Sequence, residues 1–191
     1  MEITRQVAAA LLKETGSPYK GVMYGGFIAT KNGAKLLEYN ARFGDPEAMN
    51  ILPLLKTDFV EICRHIIEGT LDKIKIEFEH KATVCKYVVP EGYGVKSMVG
   101  EPIYVNEDAL HKTGAHLFYA SVNKKDDHIV TGSSRSLAVV GIHDELEAAE
   151  NISEQALTYV KGDHLFIRHD IGTKQLLEKR IRHMKEIRGT S

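Results

Sequence analysis

Cysteine is scarce in this chain, and net charge is nearly absent. The two cysteines, Cys63 and Cys85, each lie in an apolar segment without a metal-type partner at short spacing. That argues against a cysteine-held metal. It leaves two readings, buried thiols in a reducing compartment or one disulfide. A formal net charge of -1 offers no bulk attraction to nucleic acid or to anionic membranes. No apolar run approaches the roughly 20 residues of a membrane span. Met1-Glu2-Ile3-Thr4-Arg5 starts no signal peptide. No nucleic-acid partner, no membrane partner and a cytoplasmic location are therefore expected. The nine histidines are scattered, with no His-x-His or His-x-x-x-His pair. There is no glycine-rich P-loop, no internal repeat and no low-complexity tract.

What is present is ordinary globular composition. Hydrophobic residues make up 43% and charged residues 27% of 191, enough for one good core or two small ones. Ile3, Val7, Leu11 and Leu12 recur at helical spacing until Gly16 and Pro18. A chain that opens on such a stripe, with nothing before it to cover it, suggests upstream sequence. Val22 to Thr30 and Ala34 to Asn40 read as strands, joined through Lys31-Asn32-Gly33 as a hairpin. Asp45 suits a helix N-cap, Pro46 the first helical position and Glu47 the first turn, with Pro53 as the stop. Asp58 with Glu61 resembles a capping box, Phe59, Ile62, Cys63, Ile66 and Ile67 form one face, and Gly69 closes that helix.

The pattern then becomes β-rich. Ile74 to Phe78 reads as a short strand or an extended linker. Strands are expected at Ala82 to Val89, Pro102 to Val105, Leu117 to Val122, His128 to Thr131, Ser136 to Val140 and Leu165 to Ile167. Helices are expected from Asp144 to Tyr159 and from Thr173 onward. The last carries Lys174, Lys179, Arg180, Arg182, Lys185 and Arg188, read as a solvated face or an interaction surface. The fold class is α+β, with an antiparallel sheet or partial barrel in the second part. The boundary falls between residues 70 and 82, so 1–75 and 76–191 are taken as two domains.

Chemistry concentrates near the hairpin's end. Strand side chains alternate faces, so Glu38, Asn40 and, if the strand continues, Arg42 point the same way. A carboxylate and an amide oxygen two residues apart suit a magnesium ion that also keeps waters and phosphates. Arg42 would bind a phosphate bidentately. Gly44 lets the backbone turn, and the helix start at Pro46 aims amides at an anion. The same residues also fit a solvated strand end followed by plain helix initiation, and spacing alone leaves both readings open.

The whole string goes further. Tyr19-Lys20-Gly21-Val22-Met23-Tyr24-Gly25-Gly26-Phe27, then Leu37-Glu38-Tyr39-Asn40-Ala41-Arg42-Phe43-Gly44-Asp45-Pro46-Glu47, then Ile51-Leu52-Pro53-Leu54-Leu55, closely resembles the phosphoribosylamine–glycine ligase family of the ATP-grasp superfamily. The resemblance continues through Tyr87-Val88-Val89-Pro90-Glu91-Gly92-Tyr93, Ser133 to Gly141, and Arg168-His169-Asp170-Ile171-Gly172. Ser133-Ser134 stands where glycines are expected, and His169 where a second arginine is expected.

The resemblance implies a function. It makes residues 1–75 the C-terminal part of an ATP-grasp domain, a β-hairpin plus helices, and 76–191 the family's C-terminal α+β domain. It implies ATP-dependent ligation of glycine to 5-phosphoribosylamine through a glycyl phosphate, in purine biosynthesis. ATP is then a cosubstrate and Mg2+ or Mn2+ the cofactor. Glu38 and Asn40 are the implied metal ligands. Arg42 is the nucleotide phosphate contact and, with Asp45, a catalytic residue. Gly44, Asp45, Pro46 and Glu47 form the substrate-side loop. It also implies that N-terminal ATP-grasp segments, in cis or in trans, complete the site, and that the isolated chain is inactive. Two alternatives stand beside it: a non-catalytic module docking on a separate N-terminal subunit, and an ATP-grasp ligase for another carboxylate.

Overall fold

The structure, a computed structural model, describes residues 2–189. It divides into two compact units, Met1–Glu79 with Ile181–Ser191, and His80–Arg180.

In the first unit, helix α1 (Glu2–Thr15) ends at Gly16, whose φ of 71° suits a residue without Cβ. None of its residues is buried. Strands β1 (Tyr24–Thr30) and β2 (Gly33–Asn40) form an antiparallel hairpin. Thr30 Oγ1 ties the turn, accepting from the Asn32 amide and donating to Gly33 O. A bulge between Gly26 and Phe27 leaves Leu37 unopposed. It keeps Glu38 and Asn40 on the face of Tyr24 and Gly26, and turns Leu36 to the face of Phe27.

Helix α2 (Glu47–Ile51) leads into a 3-10 turn, Leu52–Leu54, that holds Pro53. Helix α3 (Phe59–Glu68) is capped as expected at both ends. Asp58 Oδ1 accepts from the Glu61 amide at 2.9 Å, and Gly69 takes the left-handed conformation. Lys20 Nζ donates to Ile67 O at 2.6 Å, adding a cation at the helix's negative end. Residues 74–78 form no strand, and Phe78 makes an isolated bridge to Leu55.

The second unit holds two four-stranded antiparallel sheets rather than one barrel. The first has β3 (Ala82–Pro90) and β8 (Leu137–His143) at its centre, flanked by β10 (Leu165–Ile167) and β5 (His116–Tyr119). The second runs β6 (Val122–Lys125), β7 (His128–Thr131), β4 (Pro102–Val105), β9 (Val160–Lys161). The expected strand from Leu117 to Val122 is therefore two strands in different sheets. At the corner, Ala120 and Ser121 donate to Ser136 O and Arg135 O, and the Val122 amide turns back to Ala120 O.

Helix α4 (Glu107–His111), capped by Asn106, is one turn long and leaves no readable period in the sequence. Helix α5 (Leu146–Leu157) lies on β8 and β3. A Cβ at Gly141 would collide with Ala149 O of that helix, so glycine sets the close approach. Ser153 Oγ accepts from the Gly141 amide and donates to Val84 O, inserting a hydroxyl where Val84 and Gly141 face each other across β3 and β8. The core joins Val88, Leu137 and Val139 to Ile103 and Val160 and to Leu110, Ala156 and Leu157. Each fully buried Val, Leu or Ile side chain among them contributes about 1.5–3 kcal/mol. Helix α6 (Lys174–Arg188) is the last element and buries no residue. Among the described residues, no helix is long and apolar enough to cross a membrane.

Candidate functional site

Alternation along β2 brings Glu38 and Asn40 together. Asn40 Nδ2 donates to Glu38 Oε1 at 3.1 Å. The second Glu38 oxygen and the Asn40 amide oxygen remain as hard donors on one strand face. Such a pair fits Mg2+ or Mn2+ that takes its other ligands from phosphates and water. Among the described residues, no group of three or more His, Cys, Asp or Glu side chains forms a protein-only metal cage.

Arg42 does not follow the alternation. Strand β2 ends at Asn40, and residues 41 and 42 form a bend. The Arg42 guanidinium donates through Nη1 to Phe43 O at 2.6 Å. The side chain is exposed, so its remaining donors are not tied down by the strand.

Asp45 is not the N-cap of α2. Pro46 holds that position and makes no side-chain cap bond. The first turn is met by backbone instead: Ala48 N donates to Gly44 O and Met49 N to Pro46 O, each at 2.9 Å. The Asp45–Pro46 bond is cis. Gly44 is buried, and a Cβ there would run into the Glu47 carboxylate, so a larger residue would displace that side chain. Helix α2 spans five residues, too short for a developed dipole at its start.

Glu47 is held from the hairpin. The Tyr24 hydroxyl donates to Glu47 Oε1 at 2.7 Å. This bond raises the Tyr24 pKa above the ordinary tyrosine value, helped by partial burial and by the charges of Glu47 and Glu38. Tyr24 belongs to the sequence block quoted above, but nothing in its spacing marked it.

The second unit holds a cluster that sequence reasoning also missed. Lys86 on β3 is fully buried. Its Nζ donates to Glu150 Oε1 at 2.5 Å, Glu154 Oε2 at 2.6 Å and His169 O at 2.8 Å. His169 Nδ1 meets Glu154 Oε1 at 2.5 Å. Burial pushes the Glu154 carboxyl up, but the bonds to Lys86 and His169 outweigh it and hold it below the usual range. Arg168 forms a two-pronged pair with Asp170. The available signal was a lysine between Val84 and Val88, on the core phase of a strand.

Comparison with known proteins places this chain in a class. Residues 1–48 match the model of the phosphoribosylglycinamide synthetase ATP-grasp (A) domain, and residues 83–174 that of the phosphoribosylglycinamide synthetase C domain. The chain belongs to the phosphoribosylglycinamide synthetase family. It is 53% identical over 186 residues to phosphoribosylamine–glycine ligase of Methanococcus vannielii, covering 97% of this chain and 42% of that protein. The same ligase of Methanocaldococcus jannaschii is 53% identical over 187 residues, covering 98% and 42%. The crystal structure of phosphoribosylamine–glycine ligase from Thermotoga maritima aligns with a TM-score of 0.67 at 26% identity, covering 83% of this chain and 39% of that one. The chain thus spans about two-fifths of the length of its curated relatives.

Proposed function

We propose that this chain supplies part of an ATP-dependent carboxylate–amine ligase that joins glycine to 5-phosphoribosylamine in purine biosynthesis. Residues 1–75 are the C-terminal part of its ATP-grasp domain, and 76–191 its C-terminal domain. The observation that carries the reading is the Glu38–Asn40 pair beside the Gly44–Glu47 turn, in a chain that belongs to this family.

The reaction has two transfers. A glycine carboxylate oxygen attacks the γ-phosphorus of ATP, and ADP leaves. The amine nitrogen of phosphoribosylamine then attacks the acyl carbon, the C–O bond to phosphate breaks, and the nitrogen gives up a proton. The task is to hold like charges together, so fixed donors and cations carry the catalysis. Glu38 and Asn40 would hold Mg2+ or Mn2+, which offsets phosphate charge when bound. Arg42 contacts a phosphate as a flexible cation, and with Asp45 is assigned to catalysis. Gly44, Asp45, Pro46 and Glu47 face the substrates. The remaining ATP-grasp segments, in cis or in trans, bring the opposite wall, so the isolated chain is inactive. The location is cytoplasmic.

The test is ADP release by the ligase that contains this chain. Release should require glycine, and sustained release beyond one equivalent per enzyme should require phosphoribosylamine as well. Glu38→Gln should raise the magnesium requirement at least about tenfold, the size of one charged interaction. Unchanged activity at limiting magnesium would sink the metal assignment. Release with another carboxylate in place of glycine would redirect the substrate.

A further inference from the structure

We propose that Tyr24 is a positioning residue of this site, acting on the substrate-side turn through Glu47. The inference rests on the ligase reading above. Tyr24 is the first residue of β1 and lies opposite Asn40 in the hairpin register. Cross-strand partners share a face, so its ring is beside the Glu38–Asn40 pair. Its hydroxyl crosses to Glu47, the first residue of α2, at 2.7 Å. The contact therefore ties the metal-holding strand pair to the next element of the site.

The turn is built around that contact. Gly44 lies under it: a Cβ there would collide with the Glu47 carboxylate and come within 3.0 Å of Tyr24 Cδ2. Gly44 O in turn receives the Ala48 amide, and Pro46 O the Met49 amide. Tyr24 thus fixes Glu47, Glu47 closes over Gly44, and Gly44 anchors the first amide bond of α2. Pro46 at the N-cap has no side chain that can accept a hydrogen bond, and the tyrosine–carboxylate bond holds the first side chain of α2 from the hairpin. Tyr24 uses Oε1 of Glu47, and lone pairs on the carboxylate remain for a hydrogen-bond donor such as a substrate amine. The tyrosine does not need to touch substrate. Its effect is to place Glu47.

The experiment is a double-substitution cycle in the active ligase, with Tyr24→Phe and Glu47→Ala singly and together. Tyr24→Phe should lower kcat/KM for glycine or phosphoribosylamine about tenfold, the worth of one hydrogen bond to a charged group. The KM for ATP should stay within about twofold. In the Glu47→Ala background the same substitution should cost less than about twofold, because a residue that acts through another loses its effect with it. Equal losses in both backgrounds, or a parallel rise in the ATP KM, overturn the proposal. A second readout uses this chain alone and does not depend on the reaction. Amide hydrogen exchange at Ala48 and Met49 should quicken about tenfold in Tyr24→Phe. It should not quicken further when Tyr24→Phe is added to Glu47→Ala. Unchanged exchange in Tyr24→Phe overturns the positioning role. Absence of glycine-dependent ADP release in the unsubstituted ligase overturns the ligase reading instead, and leaves the exchange result to decide on Tyr24.

Discussion

The two units spend their side chains differently. Among the described residues, Ile62 is the one buried hydrophobic side chain of the first unit. The second unit buries Val84, Val88, Ile103, Leu110, Leu137, Val139 and others. The first unit leaves Phe27, Ile28, Leu37, Val60 and Ile67 exposed, and an apolar cavity of about 360 Å³ is lined by Phe43, Phe59, Ile62, Ile66, Leu71 and Phe78. Its candidate chemistry sits on exposed or half-buried side chains held by short local bonds. The second unit puts one charge, Lys86, inside and meets it with carboxylates that reach toward the surface. Polar side chains at a surface are tolerated at little cost, so the fold alone does not demand their arrangement. A buried charge demands partners, so its arrangement reflects the fold.

The comparison can be broken first at Lys86. Lys86→Met leaves Glu150 and Glu154 with only the exposed His169, on Glu154, to offset their charge. Removing one member of a fully buried pair costs about 3–5 kcal/mol, and the partial exposure of Glu154 sets the expected loss at the lower end, still a clear shift in thermal or urea unfolding of the chain. A loss no larger than a surface pair's, under about 1 kcal/mol, would mean that water reaches the cluster. The same unfolding curve should depend on pH. The folded-state pKa of Glu154 lies below its ordinary value. Its contribution is therefore present above the unfolded carboxylate pKa and is lost as pH falls through the lowered folded value. Stability of the native chain should decline on acidification, and Lys86→Met should show less of that decline.

Ser153→Ala comes next. It strands the Gly141 amide and Val84 O inside the sheet, at a cost of about 1–3 kcal/mol for unsatisfied groups. Hydrogen exchange at Gly141 should rise with it. Asp58→Ala should have the smallest effect, about 1 kcal/mol for one N-cap. It should appear as faster exchange at Glu61 in α3 and leave the second unit's amides unchanged. If Asp58→Ala destabilised the chain more than Lys86→Met, the contrast between a surface-held and a core-held unit would be lost.

Local features were legible because they rest on near neighbours. The Asp58 cap, the Gly69 stop, the hairpin across Lys31-Asn32 and the shared face of Glu38 and Asn40 all follow from residues within a few positions. The misread features are those where backbone geometry replaced a side-chain signal. Gly44 O took the capping role expected of Asp45, and the strand ended before Arg42. The corner at Ala120-Ser121 was invisible for a similar reason. Its amides are met by Arg135 and Ser136, residues on a separate strand entry.

By itself, the sequence determined the α+β class, the family, the residue string on which the candidate site is built, and the strand and helix succession apart from α4, β9 and the division of β5 from β6. Periodicity, caps and turns are short-range, and a family string needs only order and spacing. The tertiary structure alone decided which distant groups meet. Lys86 finds Glu150 and Glu154 across 64 and 68 residues, and Tyr24 finds Glu47 across 23. Those pairings depend on how strands and helices are laid against each other, where burial sets the cost of leaving a polar group alone. No local rule of the chain encodes that cost.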